Sequence, residues 1–140
     1  MVTVTPVVND DPPFSPQEPI TDPEGAAMFR AVINLFRLWA LTPDQASILL
    51  DMNPRTYGRW KEKANQIGPM NRDRKARLSN LMGIHQALRI IFKDAARGYA
   101  WIKAPNEGFA GRSALDVMLG GDLTDLMRVR HYLDSERGAW

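Results

Sequence analysis

The sequence predicts an all-α fold, and a small set of observations carries that expectation. Helix starts are marked by a capping side chain followed by proline or, three residues on, by a carboxylate. Apolar residues recur at three- and four-residue steps, and no hairpin dipeptide such as Asn-Gly lies between alternating apolar runs. Residues 1–21 contain Pro6, Pro12, Pro13, Pro16 and Pro19 with little apolar periodicity, a composition that resists helix and sheet and reads as a disordered, Pro-rich arm. Asp22 before Pro23 marks the first helix, with the aspartate as N-cap and the proline at the first helical position. Met28, Val32, Leu35, Phe36 and Trp39 then fall at helical spacing, and Thr42 caps a second helix at Pro43.

From Thr42 to Trp60 the chain has the layout of a helix-turn-helix. Ala46 and Ser47 are small enough for two helices to cross closely, and Asp51 stands where the turn needs a left-handed residue. Met52 plugs the corner, Asn53 caps the second helix, and Pro54 occupies its first turn. Tyr57 and Trp60 define its buried face, which turns Arg55, Thr56, Arg59 and Lys63 outward. Arginine can pair bidentately with guanine edges, and both lysine and arginine neutralise phosphates, so this set is the candidate DNA-binding face, with Arg72 and Arg74 extending it. An ordinary helical hairpin would use the same small residue, turn and aromatic.

A longer amphipathic helix is expected from about Asn71 to Gly98, with Leu78, Leu81, Leu88, Ile91, Phe92 and Ala95 on one stripe. Gly83 inside it costs about 1 kcal/mol relative to alanine, which points to close backbone packing there, and Gly98 is the expected left-handed stop. Two short helices follow. Ser113-Ala-Leu-Asp116 is a capping box ahead of Leu115, Met118 and Leu119. Gly120 and Gly121 stop that helix, and Asp122-Leu-Thr-Asp125 opens the last one with the same chemistry, Leu123, Leu126, Val129 and Leu133 facing inward. The implied boundaries are an arm at 1–21, a helix-turn-helix-like helical domain at 22–98 and a C-terminal module at 99–140.

Composition narrows the function. The 140 residues include no cysteine, which excludes disulfide scaffolds, zinc–thiolate sites and cysteine nucleophiles. His85 and His131 have no serine or second histidine at catalytic spacing, and Gly108, Gly111, Gly120 and Gly121 match no nucleotide fingerprint. Asp116, Asp122 and Asp125 are explained as helix-start residues. No catalytic residue, metal or cofactor is therefore expected. The start, MVTVTPVVNDDPP, lacks the basic and apolar regions of a secretory signal, and no apolar run approaches the roughly 20 residues that span a bilayer, so the expected location is cytoplasmic, with no membrane partner.

Net charge is +2, but it is unevenly spread. Residues 1–54 set two arginines against seven acids, residues 55–97 set eleven basic residues against three acids, and residues 98–140 set five against six. A basic middle suggests a surface facing a polyanion; a solvated helix face would carry the same charge.

The ending carries a family resemblance. Trp101, then Pro105-Asn106, then Gly111 ahead of Ser113-Ala-Leu-Asp-Val-Met-Leu-Gly120, then a last helix closing on Gly138, resembles the toxin-binding module of Xre/MbcA/ParS-type antitoxins, and the upstream helix-turn-helix is similar to their Xre-like portion. Ala114 departs from the proline common there, which bears on rigidity rather than on identity. The resemblance implies an Xre-like helix-turn-helix bundle with a helical toxin-binding module. It also implies an antitoxin that neutralises a RES-domain toxin acting on NAD, by consuming it or by ADP-ribosylating a protein, and that autorepresses its operon. Expected partners are that toxin, operator DNA and a second copy, as a homodimer and a toxin–antitoxin heterotetramer. Carried over to this sequence, the toxin-binding residues are Arg112, Leu115, Met118 and Arg130 on the docking helices, and Arg137, Gly138, Ala139 and Trp140 at the inserted end. An arginine and a flat indole suit a pocket built for a nucleotide. Two alternatives stand beside this reading: a stand-alone helix-turn-helix regulator whose C-terminal module mediates dimerisation or senses a ligand, and a Trp140 that folds back onto its own last helix.

Overall fold

The computed structural model describes residues 19–138; residues 1–18, which hold most of the expected arm, and Ala139 and Trp140 lie outside the described residues. Helix α1 spans Asp22–Leu38, and its N-cap is Thr21 rather than the expected Asp22. The Thr21 hydroxyl accepts the Glu24 N–H at 3.3 Å while the Glu24 carboxylate accepts the Thr21 N–H at 2.9 Å. Asp22 has Gly25 three residues on and could not close such a reciprocal pair. Phe29, Val32, Leu35, Phe36 and Trp39 are buried along one side of α1.

The chain turns at Ala40 (φ 55°) into α2, Pro43–Leu50, under the expected Thr42 cap, which forms its box with Gln45 at 3.1 and 3.0 Å. Asp51 is left-handed (φ 50°, ψ 53°), as the turn requires, and Asn53 caps α3, Pro54–Glu62. A 3-10 turn at Ala64–Gln66 leads to α4, Arg72–Ile91, whose Leu78, Leu81, Ile84, Ala87 and Leu88 are buried.

The single helix expected to reach Gly98 is instead two helices. Helix α4 stops at Ile91, Phe92 is extended, and the Asp94 carboxylate accepts the Ala96 N–H at 3.0 Å to start α5, Ala95–Trp101. Gly98 therefore lies buried inside α5, facing Leu88 and Phe92, instead of ending a helix. The apolar stripe continues across the break because both helices pack on the same core, so periodicity alone does not reveal it.

After a 3-10 turn at Glu107–Phe109 come α6, Ala114–Met118, and α7, Leu123–Gly138. Only α6 is short; α7 has 16 residues. Helix α4 is central, packed most extensively against α7 and next against α1. Among the described residues the one β feature is an isolated bridge between Pro105 and Ser113. Also among them, no helix is long and apolar enough to cross a membrane.

Candidate DNA and partner-binding faces

The helix-turn-helix corner is built as its residue types require. Ala46 and Ser47 are buried at the crossing, and the Ser47 hydroxyl donates to the Pro43 carbonyl at 2.8 Å, which removes a polar group from an apolar contact. Met52 is buried in the corner. Tyr57 and Trp60 turn inward and meet Phe29 edge-on, with ring centroids 6.1 and 5.4 Å apart. That fixes which side of α3 faces out: Arg55 and Arg59 are exposed one turn apart, and Thr56 is half-buried between them. Lys63 is exposed but is the C-cap of α3 in an extended conformation, so it lies beyond the helix on which it was expected. Lys61, not singled out in the sequence, is exposed in the last turn of α3.

Arg72 is exposed at the first residue of α4. Arg74 is half-buried, and its Nε donates to the Leu50 carbonyl at 3.2 Å and its Nη2 to the Asp51 carbonyl, so its guanidinium is tied to the turn.

In the C-terminal module the Ser113 capping box is present, with Asp116 N–H to Ser113 Oγ at 3.0 Å and Ser113 N–H to Asp116 Oδ2 at 3.3 Å. The start of α7 forms only half of one. The Asp125 carboxylate accepts the Asp122 N–H at 3.0 Å, but the Asp125 N–H goes to the Asp122 backbone carbonyl. Leu115 and Met118, expected as toxin contacts, are buried together with Ala114 and Val117. The four apolar residues of this five-residue helix are thus all packed in the core, and Leu119 just beyond it is half-buried. On α7, Leu126, Val129 and Leu133 are buried, while Met127, Arg128, His131 and Ser135 are exposed.

Of the remaining expected contacts, Arg112 is exposed and donates to the Asp116 carbonyl at 3.0 Å. Arg130 is half-buried, its Nε 3.8 Å from Asp134, and its guanidinium fills the space above Gly83, where an added Cβ would come within 2.5 Å of Cζ. The close approach at Gly83 is thus made by an arginine side chain of α7 and not by the backbone expected there. Arg137 and Gly138 are exposed at the end of α7, with Arg137 3.8 Å from Asp134. Ala139 and Trp140 lie outside the described residues.

The Pro105-Asn106…Gly111 spacing turns out to be a loop device. The Asn106 side chain accepts the Gly108 N–H at 2.7 Å, its carbonyl accepts those of Phe109 and Gly111, and its own N–H donates to Arg112. The loop drives Phe109 into the core against Tyr132 (4.9 Å), which in turn stacks on Trp101 (6.1 Å), and Arg128 lies 5.5 Å over the Phe109 ring.

A cavity of about 490 Å³ opens between α4 and α7, with Met28, Met82, Gln86, Arg89 and Arg130 in its wall. His85 also lines it, and burial, then the neighbouring Arg89 charge, hold this imidazole below its ordinary pKa. Among the described residues no three His, Asp or Glu side chains are gathered to hold a metal ion.

Known proteins resemble both halves of this arrangement. Residues 18–83 match the family model of the antitoxin Xre-like helix-turn-helix domain, and residues 87–138 match that of the antitoxin Xre/MbcA/ParS C-terminal toxin-binding domain. The two spans meet within α4. The uncharacterized protein y4oB of Sinorhizobium fredii is 40% identical over 113 residues, covering 80% of this chain and 85% of that protein. In fold, the chain is similar to one in the crystal structure of the M. tuberculosis MbcT-MbcA toxin-antitoxin complex. The TM-score is 0.52 at 22% identity, over 79% of this chain and 90% of the other.

Proposed function

The chain belongs to the Xre/MbcA/ParS family of antitoxins, and from that premise we propose that it neutralises its toxin by docking the C-terminal module over the toxin's active site. The partner in this reading is a RES-domain toxin that consumes NAD or transfers its ADP-ribose to a protein. The same chain, as a cytoplasmic homodimer, represses its own operon through α3, and with the toxin it forms a heterotetramer.

The observation that carries the docking reading is the outer face of α7. Leu126, Val129 and Leu133 are packed in the core, so Met127, Arg128, His131 and Ser135 form a mixed exposed strip that continues to Arg137 and Gly138, with Asp134 within it 3.8 Å from both Arg130 and Arg137. Ala139 and Trp140 follow in the sequence. A strip of this kind suits a partner surface with an anionic or nucleotide-shaped pocket at its end.

Co-expression with the toxin gives the test. Removing residues 137–140 should leave the melting temperature within a few degrees of the full chain and abolish protection of the host. A truncated chain that protects fully would remove the terminal tetrapeptide from the mechanism. A chain that never retains a toxin would return the reading to that of a plain regulator. The DNA-binding half rests on Arg55 and Arg59. Replacing both by alanine should weaken duplex binding and lower the salt slope by about 2, near 0.9 for each lost phosphate contact. Unchanged binding would move the contacts off α3.

A further inference from the structure

The last carbonyls of a helix have no partner within it and need one from elsewhere. At the end of α2 the Ser47 and Ile48 carbonyls receive the Met52 and Asp51 N–H groups, which closes the inner side of the corner. The next three carbonyls accept side-chain donors from α4. Arg77 Nη1 donates to Leu49 at 3.2 Å, Arg74 Nε to Leu50 at 3.2 Å, and Arg74 Nη2 to Asp51. Arg77 is 4% exposed, and its Nε is held by the Asp73 carboxylate at 2.7 Å. Helix α2 has no basic residue in its last turn, so these two guanidinium groups also bring the positive charge that a helix C-terminus favours.

We propose that Arg74 and Arg77 are positioning residues of the helix-turn-helix: a two-arginine clamp that holds Asp51 left-handed and sets the angle at which α3 leaves the turn. The fork geometry matters. One guanidinium spans two consecutive carbonyls, Leu50 and Asp51, whereas a lysine ammonium is a point donor that cannot hold both in a fixed plane. Arg74 then acts on DNA only through Arg55 and Arg59, whose presentation it fixes, and makes no phosphate contact of its own. That consequence rests on the DNA-binding reading; the clamp itself does not.

The experiment uses the full chain and the variants Arg74→Ala, Arg74→Lys and Arg77→Lys, the last because truncating a buried arginine risks unfolding. Amide exchange without DNA reads the clamp. Arg74→Ala should speed exchange at the Asp51 and Met52 N–H groups at least about tenfold (~1.4 kcal/mol of local opening) and leave the Leu126–Leu133 amides of α7 unchanged. The lysine variants should recover only part of the protection. Titration of a generic duplex against salt reads the consequence: Arg74→Ala should raise Kd about tenfold with the wild-type salt slope. Unchanged turn amides would overturn the clamp. A slope reduced by about 0.9, as for one lost phosphate, would make Arg74 a direct DNA contact and overturn the positioning role. If the wild-type chain binds no duplex, the DNA-binding reading fails while the exchange result still decides the clamp.

Discussion

Met118 and Met127 are chemically identical and differ only in placement, so they separate the core from the proposed docking surface. Met118 is 0% exposed and Met127 is 38% exposed. Around Met118, the neighbours Ala114, Leu115 and Val117 of α6 are all in the core, so this short helix cannot slide to fill a gap without uncovering another residue. Met118→Ala should therefore leave most of its cavity and cost about 3 kcal/mol, inside the 2–5 kcal/mol range of such truncations. For a chain of this size, at roughly 3–5 °C per kcal/mol, the melting temperature should fall by about 9–15 °C. Met127→Ala should change stability by no more than about 0.5 kcal/mol, as expected of a surface substitution.

Circular dichroism melts of both variants, beside a pull-down of the co-expressed toxin at a temperature where both are folded, give the comparison. Met127→Ala should weaken retention of the toxin and leave the melt alone; Met118→Ala should do the reverse. A Met118→Ala chain that melts within about 2 °C of wild type but no longer retains toxin would refute the assignment of α6 to the core. It would also restore Met118 as a contact residue.

Two further outcomes follow from the geometry of α4 and of the loop before α6. His85 stacks on Tyr99, lines a cavity with Arg89 and Arg130, and is held below its ordinary pKa by burial and by Arg89. A base with a depressed folded pKa is protonated first in the unfolded chain. Stability should thus be level above the ordinary imidazole value of about 6.5 and decline as pH falls below it, flattening once the folded imidazole also takes up its proton. Denaturant midpoints at neutral and mildly acidic pH should show that decline in wild type and a smaller one in His85→Gln; equal declines would uncouple His85 from folding. At Gly108, an added Cβ would meet the Tyr132 ring, which is confined by Trp101 on one side and Phe109 on the other. Gly108→Ala should cost about 1–3 kcal/mol by overpacking and alter the near-ultraviolet circular dichroism of the aromatic cluster. An unchanged spectrum with an unchanged melt would mean that the loop absorbs the methyl group.

What was legible in the sequence is what depends on neighbours in the chain. Thr42, Asn53, Asn71 and Ser113 cap helices through bonds to residues two or three positions on, and the left-handed Asp51 follows from its place in the turn. The Thr21 cap was equally local. Its signal was Glu24 three residues on, which a proline after Asp22 obscured. The stop of α4 at Ile91 was signalled only by Asp94 as a fresh cap, against an apolar stripe that runs on without interruption. Tertiary choices were out of reach. The acceptors of Arg74 and Arg77 lie more than twenty residues upstream, so nothing near either arginine distinguishes a clamp from a phosphate ligand. Likewise the spacing of Leu115 and Met118 marks an apolar face but does not say whether the chain or a partner covers it.

The same distinction changes what the basic middle of the chain means. Its eleven lysines and arginines suggest a broad polyanion surface when counted along the sequence. In the structure Arg74, Lys75 and Arg77 donate to carbonyls at the end of α2 and at Ile20, and Lys75 and Arg77 also pair with Asp22 and Asp73. Arg89, Lys93 and Arg97 are exposed at the far end of α4 and beyond it, Arg89 being about 25 Å from Arg72 at 1.5 Å per residue. With Arg74 held in the proposed clamp, a single duplex face at the helix-turn-helix is left with Arg55, Arg59, Lys61, Lys63 and Arg72. One chain should then release counterions from at most about five phosphates, which bounds its salt slope near −4.5 and that of a dimer near −9. A steeper measured slope would require cations from outside this set, and the cluster at the other end of α4 would be the first place to substitute.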